Sequence, residues 1–187
     1  MAPPLTSLTL VPARTGRSGF HLKRDPMGQK GTHMRFFRDD GGRLEAGFKG
    51  VAGDCVTRAI AIAAELPYRQ VYERLAEGNA TQRRGKREMH RPKARKTKVR
   101  TASHGISVKR KWFQDYMSHQ LGFVWTPTMS IGSGCKVHVK ANELPASGRL
   151  ILSLSKHWCA FIDGVVHDTL DPARDGTRCV YGFWTLD

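Results

Sequence analysis

Three residues in this chain have the types and the order of a thiol acyl-transfer site: Cys55, His157 and Asp168. Cys55 lies in Gly53-Asp54-Cys55-Val56-Thr57-Arg58-Ala59-Ile60, where a turn becomes a helix. Asp54 suits the N-cap, so Cys55 is expected as the first helical residue, with Val56, Ala59, Ile60 and Ala63 as an apolar stripe behind it. Free backbone N–H groups and the positive end of the helix dipole favour a thiolate there, drawing a cysteine from about 8.5 toward neutrality. Cysteine is also among the most buried residue types, so Cys55 alone reads as structural. A base decides between the two readings.

The run Ser155-Lys156-His157-Trp158-Cys159-Ala160-Phe161-Ile162-Asp163-Gly164-Val165-Val166-His167-Asp168-Thr169 offers one. Asp163-Gly164 between two β-prone arms favours a two-residue type I′ turn. That turn pairs Ile162 with Val165, Cys159 with Asp168 and His157 with Leu170. Side chains alternate along a strand, so His157, Cys159, Phe161, Asp168 and Leu170 share one face, while His167 and Asp171 take the other. Diagonal neighbours lie roughly 7–8 Å apart at the backbone, within side-chain reach. Asp168, rather than Asp171, is therefore expected to orient the imidazole that deprotonates Cys55.

A cysteine opening a helix, followed by a histidine and an acidic residue on later adjacent strands, resembles the papain-like cysteine peptidase superfamily in its broad sense. More narrowly, AGFKGVAGDCVTRAIAIA, PTMSIGSGC, GRLILSLSKH, DGVVHDTLDP and RCVYGFW are similar to a group of small phage and bacterial proteins, over about residues 38–187. The resemblance implies an α+β fold and a Cys/His/Asp site. Papain-like peptidases usually carry a glutamine shortly before the cysteine to complete the oxyanion hole; here Lys49, Gly50, Val51 and Ala52 occupy that region.

The expected activity is that of a cysteine-dependent hydrolase (peptidase, isopeptidase or amidase), with Cys55 as nucleophile, His157 as general base, Asp168 as orienting group and the Cys55 N–H as an oxyanion donor. Its substrate is a peptide or amide. From a different class, the alternative is a non-catalytic basic protein that contacts nucleic acid or an acidic partner. Cys135, His138, His157 and Cys159 have the softness and number for tetrahedral zinc, but their spacing is not a zinc pattern. Ile131-Gly132-Ser133-Gly134-Cys135 lacks the Lys and Ser/Thr of a phosphate loop and reads as a turn near the cleft. No cofactor or metal is expected.

A chain of 187 residues can bury a core of its own. Its four cysteines (Cys55, Cys135, Cys159, Cys179) lack a secreted-scaffold pattern, so reduced thiols and a cytoplasmic location are expected, the host cytoplasm if the chain is phage-encoded. No stretch approaches a membrane span, and Met1–Phe20 does not read as a secretory signal. An Arg-rich, acid-poor transit peptide is the alternative to a solvated basic tail, since the first acidic residue is Asp25.

Lys plus Arg number 31 against 16 Asp plus Glu, a formal charge of +15, with the excess concentrated between Thr81 and Lys111. Arg83–Arg100 carries almost no apolar residue and cannot bury a core. It reads either as a solvated loop or as a nonspecific contact for nucleic acid or an acidic protein. It has no aromatics for base stacking.

The elements that must position the site follow from periodicity. Residues 1–32 are Pro-, Gly- and Arg-rich and are expected as a mobile basic tail, with residues 33–187 as one domain carrying a basic excursion at about 81–106. A short strand is expected at His33–Arg38, a helix from Cys55 to about Glu65 and a second helix opened by Pro67 with Tyr68, Val71, Tyr72 and Leu75 inward. A third helix is expected to be capped by Ser107 and ended by Gly122, with Val108, Trp112, Tyr116 or Met117 and Leu121 on one side. Strands are expected at Phe123–Thr126, Lys136–Lys140, Arg149–Ser155, Trp158–Ile162, Val165–Thr169 and Cys179–Thr185. Helices first and strands later make an α+β fold, with N-terminal helices packed on a mostly antiparallel sheet.

Overall fold

A computed structural model describes residues 34–81, 101–103 and 105–186. The tail expected over 1–32 and all of Arg83–Arg100 lie outside the described residues. The fold is α+β. Strand β1 (Arg35–Arg38) is followed by helices α1 (Cys55–Ala63), α2 (Tyr68–Thr81) and α3 (Lys111–Asp115). Strands β2 (Val124–Pro127), β3 (Arg149–Leu154), β4 (His157–Ile162), β5 (Val165–Asp168) and β6 (Val180–Leu186) come after. They form one sheet in the order β1-β5-β4-β3-β6-β2, antiparallel except where β1 lies parallel to β5.

Both faces of the sheet centre are covered, which is why RLILSL and HWCAFI read as nearly continuous apolar runs. Ile151, Trp158, Ala160 and Trp184 face the helices, against Ile60, Val71, Leu75 and Phe113. The alternate residues, Leu150, Leu152, Cys159, Phe161 and Val166, face Met34, Val139, Leu144 and Ala173. The Asp163-Gly164 turn has positive φ at both residues, 46° and 78°, and pairs Ile162 with Val165, Phe161 with Val166 and Ala160 with His167. That is the expected type I′ register.

Helix α1 is more central than a one-sided stripe implies. Every residue from Val56 to Ala63 is buried, Thr57 and Arg58 included, because the sheet lies on one side and α2 on another. At its C-terminal end Arg149 donates to the carbonyls of Ala63 (2.7 Å) and Ile62 (3.0 Å), placing a cation on the negative end of the dipole. Arg149 opens β3, so β3 runs from that end of α1 back toward its N-terminus. There the Ser155-Lys156 turn leads into His157.

Three expectations are corrected. The third helix starts at Lys111, since the Ser107 carbonyl accepts from Arg110 N–H (3.1 Å) and closes a turn instead of a cap. It widens into a π-helical turn over Tyr116–Gln120, which buries both Tyr116 and Met117. Lys136–Lys140 is not a strand: it makes one isolated bridge, His138 to Cys179, and the Lys140 N–H then folds back onto the His138 carbonyl at 2.8 Å. That bridge draws Cys135 to Cys179, and the two form a disulfide with Cα atoms 5.9 Å apart, so only Cys55 and Cys159 are free thiols. No helix among the described residues is long and apolar enough to cross a membrane.

Candidate active site

Cys55 is the first residue of α1, half-buried at the helix N-terminus. The preceding turn is fitted closely. Gly53 donates to the Ser103 carbonyl at 3.0 Å, and a Cβ at Gly53 would stand 3.3 Å from that same oxygen. Asn79 holds the other side of this contact by donating to the carbonyls of Thr101 (3.2 Å) and Gly105 (3.1 Å). The chain therefore returns from the basic segment directly against the start of α1.

Asp54 occupies the N-cap position, but its carboxylate does not cap the helix. It is 1% exposed and lies in a polar cluster: Arg43 Nε donates to Oδ2 at 2.6 Å, Tyr68 Oη donates to Oδ2 at 2.5 Å, and Arg58 Nη1 donates to Oδ1. Buried charge requires such pairing, and two guanidinium groups supply more than a single helix N–H could. Arg43 also donates to the carbonyls of Phe48 (3.0 Å) and Lys49 (3.1 Å), fixing the loop that enters the site. In that loop Val51 is fully exposed.

His157 opens β4 and Asp168 closes β5, so the hairpin brings them to the same end of the sheet. His157 Nε2 is hydrogen-bonded to Asp168 Oδ2. This leaves Nδ1 as the ring nitrogen for the Cys55 thiol, whose hydrogen bond and charge act on His157. Asp168 Oδ1 faces away from the imidazole, toward the Thr169 N–H (2.7 Å) and Arg58 Nη2 (3.4 Å). The carboxylate is nearly inaccessible while the imidazole is 28% exposed, so the outer member of the pair faces solvent and the inner one is held. Asp171 is not bonded to His157: its Oδ1 accepts the Ala173 N–H at 2.8 Å and stabilises the turn around Pro172.

The electrostatics follow from these contacts. The Asp168 hydrogen bond, then that of Cys55, raises the His157 pKa from 6.5 to about 9 against the opposing effect of burial. Burial pushes the Cys55 thiol up, yet the His157 hydrogen bond and charge, the Trp158 N–H and the Arg58 charge outweigh it and hold the thiol below its ordinary value. A thiolate beside an imidazolium is the form these shifts favour. Cys159 is the opposite case: full burial, with Asp168 and Cys55 nearby, drives it well above the ordinary range.

A cavity of about 410 Å³ opens on Cys55 and His157, with Gly53, Leu170 and Pro172 among its walls. A second, of about 620 Å³, shares His157 with the first and reaches Cys179. The zinc grouping does not assemble: Cys135 is in the disulfide, Cys159 is in the core and His157 is bound to Asp168. Among the described residues no group of three or more His, Cys, Asp or Glu side chains is placed to hold a metal.

The structure thus brings Cys55, His157 and Asp168 together and leaves Asp171 in the cavity wall, bonded to the Ala173 N–H and not to His157. Sequence reasoning missed Arg43, Arg58 and Tyr68. Only Arg58 had a local signal, standing four residues after Asp54 on the same helical face. No protein-family model, curated protein or solved structure matches the chain.

Proposed function

We propose that this protein is a cysteine-dependent acyl hydrolase with a papain-like arrangement, acting on a peptide or amide carbonyl. The observation that carries this reading is the convergence of Cys55, His157 and Asp168 from one helix start and one hairpin, with the imidazole between thiol and carboxylate. The Cys55 sulfur attacks the carbonyl carbon to form a tetrahedral intermediate. Its oxyanion is stabilised by the free Cys55 N–H at the helix start. His157 gives its proton to the leaving amine as the C–N bond breaks, leaving a thioester. It then takes a proton from water, whose attack releases the acid and expels the thiolate, restoring the thiolate–imidazolium pair. Asp168 is a positioning residue that keeps Nδ1 toward the sulfur.

Iodoacetamide labelling near pH 6, read by peptide mass mapping, tests this. Cys55 is expected to label first, and Cys159 to resist because it is buried and its thiolate disfavoured. Labelling of Cys159 ahead of Cys55 overturns the reading.

A further inference from the structure

The two cavities beside His157 share Lys156, Arg174 and Arg178. Among the described residues none of the three lies within ion-pair distance of a carboxylate. Arg58 also lines the smaller cavity, but its charge is spent on Asp54 and Asp168. The one carboxylate in the walls, Asp171, is turned to the Ala173 N–H. Arg178 gives Nη2 to the Ser155 carbonyl at 2.6 Å, and its Nε is buried without a partner. Three cations therefore stand in the cleft walls against a single carboxylate, Asp171, and none of them is paired with it.

The backbone adds an independent observation. Lys156 and Arg174 have φ of 55° and 51°, in the left-handed region that glycine, asparagine and aspartate adopt readily and that costs lysine or arginine conformational energy. Lys156 is in the two-residue β3–β4 turn, and Arg174 is in the turn whose carbonyl accepts the Thr177 N–H at 3.0 Å. Both turns would be formed more easily by other residues, yet each carries a cation into the cavity walls. Strain retained beside a reactive group is expected where the side chain serves that group.

We infer that this cleft takes an acyl substrate bearing a carboxylate next to the bond to be cleaved, held by Lys156, Arg174 and Arg178 beside the Cys55 thiol. The inference rests on the thiol reading above and adds the charge of the substrate to it. A carboxylate between three unpaired cations is drawn to the cleft and oriented there, with its neighbouring carbonyl presented to the sulfur. Acidic side chains and a free chain terminus both supply that group.

Alkylation rates of Cys55 in the full-length protein test this, comparing anionic iodoacetate with neutral iodoacetamide. Lys156→Asn and Arg174→Asn remove the charges while fitting the left-handed backbone, so folding is preserved. In the double variant the ratio of iodoacetate to iodoacetamide rate is expected to fall about tenfold, with the iodoacetamide rate within about twofold of the parent. An unchanged ratio overturns the inference while leaving the thiol reading intact. Inertness of Cys55 to both reagents overturns the thiol reading and this inference with it. Protection of Cys55 from iodoacetamide by N-acetyl tetraglutamate amide assigns the group to acidic side chains, and protection by N-acetyl tetra-alanine with a free terminus assigns it to a chain end. Protection by neither, or equal protection by N-acetyl tetra-alanine amide, overturns the assignment.

Discussion

Arg58 and Asp168 meet across the gap between helix α1 and strand β5, with Nη2 3.4 Å from Oδ1, while the same guanidinium pairs with Asp54 through Nη1. One buried side chain therefore ties the start of the cysteine helix to the carboxylate that orients His157. Removing one partner of a buried pair leaves the others uncompensated, at a cost of about 3–5 kcal/mol. Arg58→Met, which keeps the volume and deletes the charge, is expected to lower unfolding free energy by that amount in urea denaturation. Because Asp168 Oδ1 loses a partner, Cys55 alkylation near pH 6 should slow as well.

Asp168 and Asp171 follow His157 at similar distances in sequence, but only Asp168 is bonded to it. Asp168→Asn should therefore reduce the Cys55 alkylation rate near pH 6 at least about tenfold, since the imidazolium loses the charge that supports it. Asp171→Asn should leave that rate unchanged and alter only the turn at Pro172. Equal effects of the two variants would contradict the assignment.

The His157 proton has a stability consequence. Its folded-state pKa is raised from 6.5 to about 9, so the folded chain binds this proton more tightly than the unfolded chain does. The contribution is fully present below pH 6.5 and is lost as pH rises through the folded value. Cys55, with its pKa lowered, titrates in the opposite sense: its contribution is present above the ordinary thiol value of 9.0 and lost as pH falls through the folded value. The cleaner measurement is in Cys55→Ala, where the folded His157 value is below that of the intact pair but still raised by Asp168. Urea midpoints in that background should fall as pH rises above 6.5, with the fall complete at a lower pH than in the intact protein, and the fall should vanish when His157→Gln is added.

The Cys135–Cys179 disulfide closes a 44-residue separation that contains β3, β4 and β5, the three strands that frame His157 and Asp168. Loop-closure entropy for such a length is worth about 4 kcal/mol. Thiol titration of the denatured, unreduced protein should find Cys55 and Cys159 only, and all four cysteines after reduction. Reduction should lower the unfolding midpoint, and Cys135→Ser should reproduce that drop.

The order of elements, the Cys55 helix start and the choice of Asp168 over Asp171 were legible in the amino-acid sequence because each rests on local rules: a helix beginning, a two-residue turn and the alternation of side chains along its arms. The Asp163-Gly164 turn alone sets which residues face one another for several positions in either direction. What it leaves open is everything that depends on partners distant along the chain. Asp54 looks like a helix cap locally, but burial beside Arg43 and Tyr68, 11 and 14 residues away, gives its carboxylate stronger donors than the helix N–H groups. The parallel docking of β1 on β5 and the meeting of Cys135 with Cys179 likewise follow from which surfaces pack together, a choice no periodicity encodes. Tertiary structure also decided that Lys156, Arg174 and Arg178, drawn from two separate turns and the approach to β6, stand around one thiol, because charges converge only when the chain has folded.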